Sequence, residues 1–213
     1  RERKLNEKIN KEIVLIKENY KNKLFIDSQQ SASYILGNFE DHINFNTSEE
    51  LKLIYASSMA KIAVRSKEKI NIENSLKYFE PLIKSPLTKI KIQALFSMAE
   101  TIMSYPNLEI NNIDSSILLL QKALQISKAE NIINNNLSSF FAVTLIEKYS
   151  IEKTSKIKFK AIGSCDEINF ALITNKIQCK FMYINVDEKD NMINIKIYPY
   201  NNYFDKNIFI SNN

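Results

Sequence analysis

The spacing of apolar residues changes near residue 153, and that change narrows the folds open to this chain. Before it, large apolar residues recur at intervals of three and four, the mark of one helical face. After it they alternate at two, as on one face of a strand. Ile157, Phe159 and Ala161 alternate with Lys156, Lys158 and Lys160. Ile168, Phe170 and Leu172 follow, then Ile177, Cys179, Phe181 and Tyr183, then Ile193, Ile195 and Ile197 beyond a polar Asp187–Asn191 turn. A last short strand is expected at Ile208–Ile210. The expected class is α+β: antiparallel helix pairs followed by a C-terminal antiparallel β-meander. The expected organisation is a basic amphipathic helix over 1–24, a helical domain over 25–153 and a small sheet domain over 154–213.

About seven helices are expected. Leu5, Ile9, Ile13, Ile16 and Tyr20 form one stripe on the first, with Lys, Glu and Asn opposite. Asp27 with Gln30, and Thr47 with Glu50, have the spacing of capping boxes. The second of these opens Ser48–Arg65, with Leu51, Ile54, Tyr55, Ser58, Met59, Ile62 and Ala63 inward. Asn71 caps the next helix, and Pro81 kinks or ends it. Ser85–Pro86 marks a start, with the cap followed by proline. That helix stops before Pro106. Asp114 caps Ser115–Ala129, and Asn135 or Asn136 starts Leu137–Ser150.

Composition narrows the function classes. An apolar fraction of 45% with 25% charged residues belongs to an ordinary globular chain. Lys outnumbers Arg 26 to 3, as expected of an AT-rich and here bacterial gene, so exposed Lys and Asn need no functional account. Residues 1–24 hold eight basic residues against four Glu, nearly all of the net charge of +5. A nucleic-acid surface calls for forked Arg contacts on a basic face, which this pattern does not offer. The chain opens on Arg1, so a signal peptide, membrane anchor or further domain is expected upstream, and any membrane link is expected through that segment. Cys165 and Cys179 are either two small apolar side chains in a sheet or one disulfide. Their spacing is not that of a zinc site, and one His cannot complete a Cys2His2 set.

Motifs for local chemistry are missing. His42, the one imidazole, lies in a linker with no nucleophile pattern beside it. Two Gly leave no phosphate loop or dinucleotide fingerprint. The Asp187–Asp190 turn lacks the ligand spacing of a calcium loop. No metal, cofactor or catalytic residue is therefore assigned, and the chain is expected not to be an enzyme.

An internal echo points instead to binding. Ser58-Met59-Ala60-Lys61-Ile62-Ala63 returns as Ser97-Met98-Ala99-Glu100-Thr101-Ile102, thirty-nine residues on. A weaker echo, Phe141-Ala142 with Leu145, follows forty-three residues later. Each places a small residue, for a close helix crossing, among large ones at one-turn spacing. Leu95, Met98-Ala99 and Ile102, followed by Ser116, Leu120 and Ala123, fit the size pattern of paired repeat helices. Over residues 48–150 the chain thus resembles the tetratricopeptide repeats and their longer Sel1-like relatives. The resemblance implies stacked helix pairs whose first helices line a concave groove. Ile54, Lys61 and Arg65, then Gln93, Phe96, Glu100 and Met103, and then Val143 and Ile146, would line it. The implied function is a scaffold or recognition module for a peptide or partner helix, part of a larger protein. A sensor or regulatory domain of a membrane-anchored protein, or a chaperone for secreted clients, are the alternatives. An enzyme or toxin with a dispersed site is a further one. Tyr198, Tyr200, Tyr203 and Phe204 form either a packed sheet end or a second partner contact.

Overall fold

The computed structural model describes residues 2–132, helical positions 137, 140, 141, 144, 147 and 148, and strand backbone at 156–158, 181–189 and 192–199. The chain divides into two compact units, Arg1–Leu108 and Glu109–Asn213.

The first unit is built from α1 (Glu2–Lys21), α2 (Phe25–Phe39), α3 (Phe45–Ser66), α4 (Lys69–Leu76) and α5 (Thr88–Ile102). Two short 3-10 turns, Lys77–Phe79 and Leu82–Lys84, carry the chain from α4 to α5 around Pro81. The stripe on α1 does what its spacing requires. Ile9, Ile13 and Ile16 are buried with Ala32 and Ile35 of α2 and Leu51 of α3, and Leu5, Ile54 and Tyr55 pack on this cluster. A second cluster joins Ala56 and Ala60 of α3 to Ile90 and Ala94 of α5, with Phe79 and Leu82 from the 3-10 turns. Leu53 and Met98 pack against it. The two clusters use opposite sides of α3. At about 100° per residue, positions 51, 54 and 55 lie roughly 180° from positions 53, 56 and 60. The sequence shows only the first of these faces as inward, because Ala56 and Ala60 carry little apolar signal.

Helix ends are set without glycine. Lys23 takes the left-handed conformation, φ 63°. Its N–H bonds the Tyr20 carbonyl at 3.0 Å, and the Leu24 N–H bonds that of Asn19 at 2.9 Å, which is a Schellman cap. Lys67 and Asn131 stand at φ 56° and 53° after α3 and the first helix of the second unit. The expected starts shift. Helix α3 begins at Phe45 because the Asn44 side chain, not that of Thr47, accepts a hydrogen bond, from the Thr47 N–H at 2.9 Å. Asp27 lies in the first turn of α2 without capping it, and α5 starts at Thr88, two residues past Pro86.

The α2–α3 corner is tied by charge. One oxygen of Glu40 accepts from the Ser48 hydroxyl at 2.7 Å and from Lys52 Nζ at 2.7 Å. Lys52 also reaches the nearly buried Glu49, 3.7 Å away. The Lys52 and Ser48 hydrogen bonds hold the Glu40 carboxyl below its usual range, and the hydrogen bond to Glu40 raises the Lys52 ammonium. Tyr55 meets Tyr78 edge to face at 5.2 Å. Burial first, and then its hydrogen bond to Tyr78, raise the Tyr55 phenol.

In the second unit, α6 (Ile110–Ala129) buries Ile113, Ile117, Leu120 and Ala123 along one face. It starts five residues before the expected Ser115. Glu109 and Asn112 form its capping box, which leaves Asp114 inside the helix, paired with Lys148 at 2.8 Å. Leu137, Phe141 and Thr144 are buried helical positions. Strands β1 (Lys156–Lys158), β2 (Phe181–Lys189) and β3 (Met192–Pro199) form a sheet of order β1-β3-β2. β3 is antiparallel to β2 and parallel to β1.

The expected α+β class with an antiparallel meander is therefore corrected. Residues 2–132 are helical with no strand among them. In a meander every neighbour pair is antiparallel, whereas a parallel pair needs a long crossover. The Asp187–Asn191 turn is corrected too, since Asp187, Glu188 and Lys189 are β2 residues paired with Asn194, Ile193 and Met192. Alternation at two marks a strand and one of its faces but not its neighbour.

Two outcomes follow from these contacts. A Lys23→Gly variant removes the Cβ penalty of the left-handed cap and is expected to be more stable by about 1 kcal/mol in urea unfolding. Because the Glu40 pKa is depressed in the folded state, its contribution is present above the ordinary value of 4.5 and is lost as pH falls through the lowered one. Urea midpoints followed on acidification should thus fall more steeply for the natural chain than for Glu40→Gln.

Candidate functional site

Helices α3 and α5 carry the two copies of the internal echo, and the first unit packs them against each other. The small residues explain the approach. Ala56, Ala60 and Ala94 lie in one cluster where a longer side chain would hold the helices apart. Ala60 is 2% exposed and Ala99, its counterpart, 0%. Each is followed by a charged residue. Lys61 Nζ and Glu100 Oε2 meet at 3.4 Å across the pair of helices, with their side chains about 42% and 33% exposed. Two positions equivalent in the sequence echo therefore form an ion pair. On the side of α5, the Gln93 amide donates to the Ser97 hydroxyl at 3.3 Å, and the Ser104 hydroxyl donates to the Glu100 carbonyl at 2.9 Å.

The residues expected to line a groove are not gathered in one place. Lys61 and Glu100 meet, with Gln93 and Met103 half-buried elsewhere on α5 and at its C-terminal end. Ile54 packs on the α1–α2–α3 cluster instead. Arg65 lies over the Phe25 ring of α2, 5.1 Å from its centroid. Phe96 is 8% exposed, a core side chain. Val143 and Ile146 lie outside the described residues, as do Tyr200, Tyr203, Phe204, Cys165 and Cys179. Tyr198 is a β3 position opposite Tyr183 of β2. His42 ends the 3-10 turn Glu40–His42 and stands edge-on to Phe39 at 6.1 Å.

The pairing of Arg65 with Phe25 was not visible in the sequence, since forty residues separate them and no periodicity links them. The Tyr55–Tyr78 contact was equally hidden. Among the described residues no group of three His, Cys, Asp or Glu side chains stands close enough to hold a metal ion.

Comparison with protein-family models finds no match, and comparisons with curated proteins and with solved structures find none either.

The α3–α5 crossing and the ion pair above it should respond differently to substitution. Ala60→Leu forces a larger side chain into a filled crossing and is expected to cost about 1–3 kcal/mol or more. A double-mutant cycle of Lys61→Ala and Glu100→Ala should give a coupling below about 1 kcal/mol, as for other solvent-facing pairs. Both are measured by chemical unfolding.

Proposed function

We propose that the chain is a non-enzymatic recognition module that holds an extended peptide or a partner helix on the α3–α5 face, as part of a larger protein or assembly. The reading extends the coarser finding of packed antiparallel helices to a tetratricopeptide- or Sel1-like repeat. The observation that carries it is the Lys61–Glu100 pair, which joins positions thirty-nine residues apart in the two copies of the echo. It supports repetition of one structural unit in a common register. Glu100 shares α5 with the half-buried Gln93, and a charged pair with an amide on the same helix suits a peptide backbone. Lys61 can turn from Glu100 to a carboxylate or carbonyl of the partner, and Glu100 can accept a backbone N–H. Gln93 offers both a donor and an acceptor.

The experiment is a peptide-display selection against the intact chain, followed by binding measurements on the enriched peptides. Binding to the natural chain is expected to weaken about ten-fold in Lys61→Glu with folding intact. Phe96→Ala is not the right probe, because truncating a buried aromatic costs about 3–5 kcal/mol of stability. Peptides that bind the natural chain and Lys61→Glu equally well would place recognition elsewhere.

A further inference from the structure

Lysine is the default cation of this chain, so an arginine inside its folded part calls for an account that a lysine does not. Only three arginines stand against twenty-six lysines. Arg3 pairs with Glu7 on α1 at 3.2 Å. Arg65 stands in the last turn of α3. A positive charge there suits the helix dipole, but lysine would serve that purpose equally well. What distinguishes arginine is a planar group that can lie over a ring and still keep a fork of donors. The Arg65 guanidinium lies over the Phe25 ring, 5.1 Å from its centroid. Phe25 is a fixed platform, buried at the start of α2 and met edge to face by Tyr20 at 5.6 Å. A guanidinium that meets a ring through its face retains in-plane N–H donors for a second partner. Arg65 is exposed, and among the described residues no carboxylate pairs with it. Glu68, three residues on, instead accepts from the Asn71 side chain at 2.7 Å.

Position 65 follows Lys61 by one turn, about 6 Å along α3 and roughly 40° around it, so the two share a face. Lys61 is already answered in part by Glu100 at 3.4 Å. Arg65 brings to this face a positive charge that no described residue neutralises. One carboxylate matches that single charge, and its two oxygens match the fork. A phosphate carries nearly two negative charges, and Lys61, the cation one turn away, is engaged. Nucleic acid needs a succession of such contacts, which one arginine does not supply. We infer that the peptide held on the α3–α5 face carries an aspartate or glutamate, and that Arg65, positioned over Phe25, is the residue that selects it. The inference rests on the reading of that face as a peptide site and names the chemistry of its ligand.

The test is a binding cycle between Arg65 and the acid of the peptides enriched by display against the full chain. Those peptides are expected to share an Asp or Glu at a common place. Changing that residue to its amide should weaken binding about ten-fold, the worth of a charge-assisted hydrogen bond. Arg65→Lys should weaken binding by a similar factor, because it keeps the charge and loses the fork, and Arg65→Gln should weaken it further. The urea midpoint of Arg65→Lys is expected to stay close to that of the natural chain. Against Arg65→Lys the change to the amide should cost clearly less than against the natural chain, which is the signature of a direct contact. Enriched peptides that share no acid, or an amide penalty equal in the two proteins, would overturn the inference. If Lys61→Glu still weakens those peptides, the recognition reading survives that result, whereas indifference to both positions removes both. Tighter binding of a phosphoserine peptide than of its glutamate counterpart would overturn the choice of a carboxylate. A loss of binding in Arg65→Lys that is matched by a fall in its urea midpoint would make Arg65 a support for Phe25 and overturn the inference as well.

Discussion

The first unit depends on α3 being packed from two opposite sides. One side takes Leu51, Ile54 and Tyr55 against α1 and α2, and the other takes Leu53, Ala56 and Ala60 against α5 and the turns around Pro81. A helix covered on both sides cannot follow the one-stripe pattern of a surface helix. Small residues on the second side let α5 come close, and bulk is supplied from elsewhere by Phe79 and Leu82, both essentially inaccessible. The ion pairs Lys17–Glu50 and Lys61–Glu100 then lie where α3 meets its neighbours, with half-exposed side chains that cost little to leave in water.

Close packing brings many hydroxyls inside. Ser28, Ser57, Ser58, Ser75, Ser97 and Thr101 are all buried in the first unit. Two of them answer the requirement that a buried hydroxyl find a partner by bonding to nearby backbone. Ser75 donates to the Ile72 carbonyl at 2.7 Å and Thr101 to that of Ser97 at 2.7 Å. Ser28 instead crosses to the Ile16 carbonyl of α1 at 3.2 Å, which joins two helices at their shared turn. At Ser75 the polarity of the hydroxyl is absorbed locally, whereas the buried Ser58 hydroxyl has no hydrogen-bond partner among the described residues.

Legibility followed the range of the interaction. The stripe Leu5, Ile9, Ile13 and Ile16 could be read directly, because the period of one helix is a local property. The Lys61–Glu100 pair was half legible: the echo placed the two at equivalent positions, although nothing in the sequence said that the positions would touch. Caps are ambiguous in the sequence where several residues compete. Asn44 and Thr47 are both good cap residues, and which one caps is decided by the entry path of the chain from α2. Helix ends at Lys23, Lys67 and Asn131 were hidden because glycine, the usual marker of a left-handed cap, is absent there. The expected groove residues are dispersed for a similar reason. Ile54 and Arg65 lie on the same helix as Lys61, but α2 supplies Phe25 for Arg65 and an apolar cluster for Ile54.

By itself the sequence determined that the chain up to Ala129 is built of helices, though not where each begins, which face of α1 is buried, and that two stretches echo each other. These are consequences of local periodicity and residue size. Only the tertiary structure decided that α3 has two buried faces, that Arg65 turns to Phe25, and that β3 lies between a parallel and an antiparallel neighbour. Those outcomes depend on which distant surfaces come to lie side by side, and a contact between residues forty positions apart leaves no periodic trace in the chain that makes it.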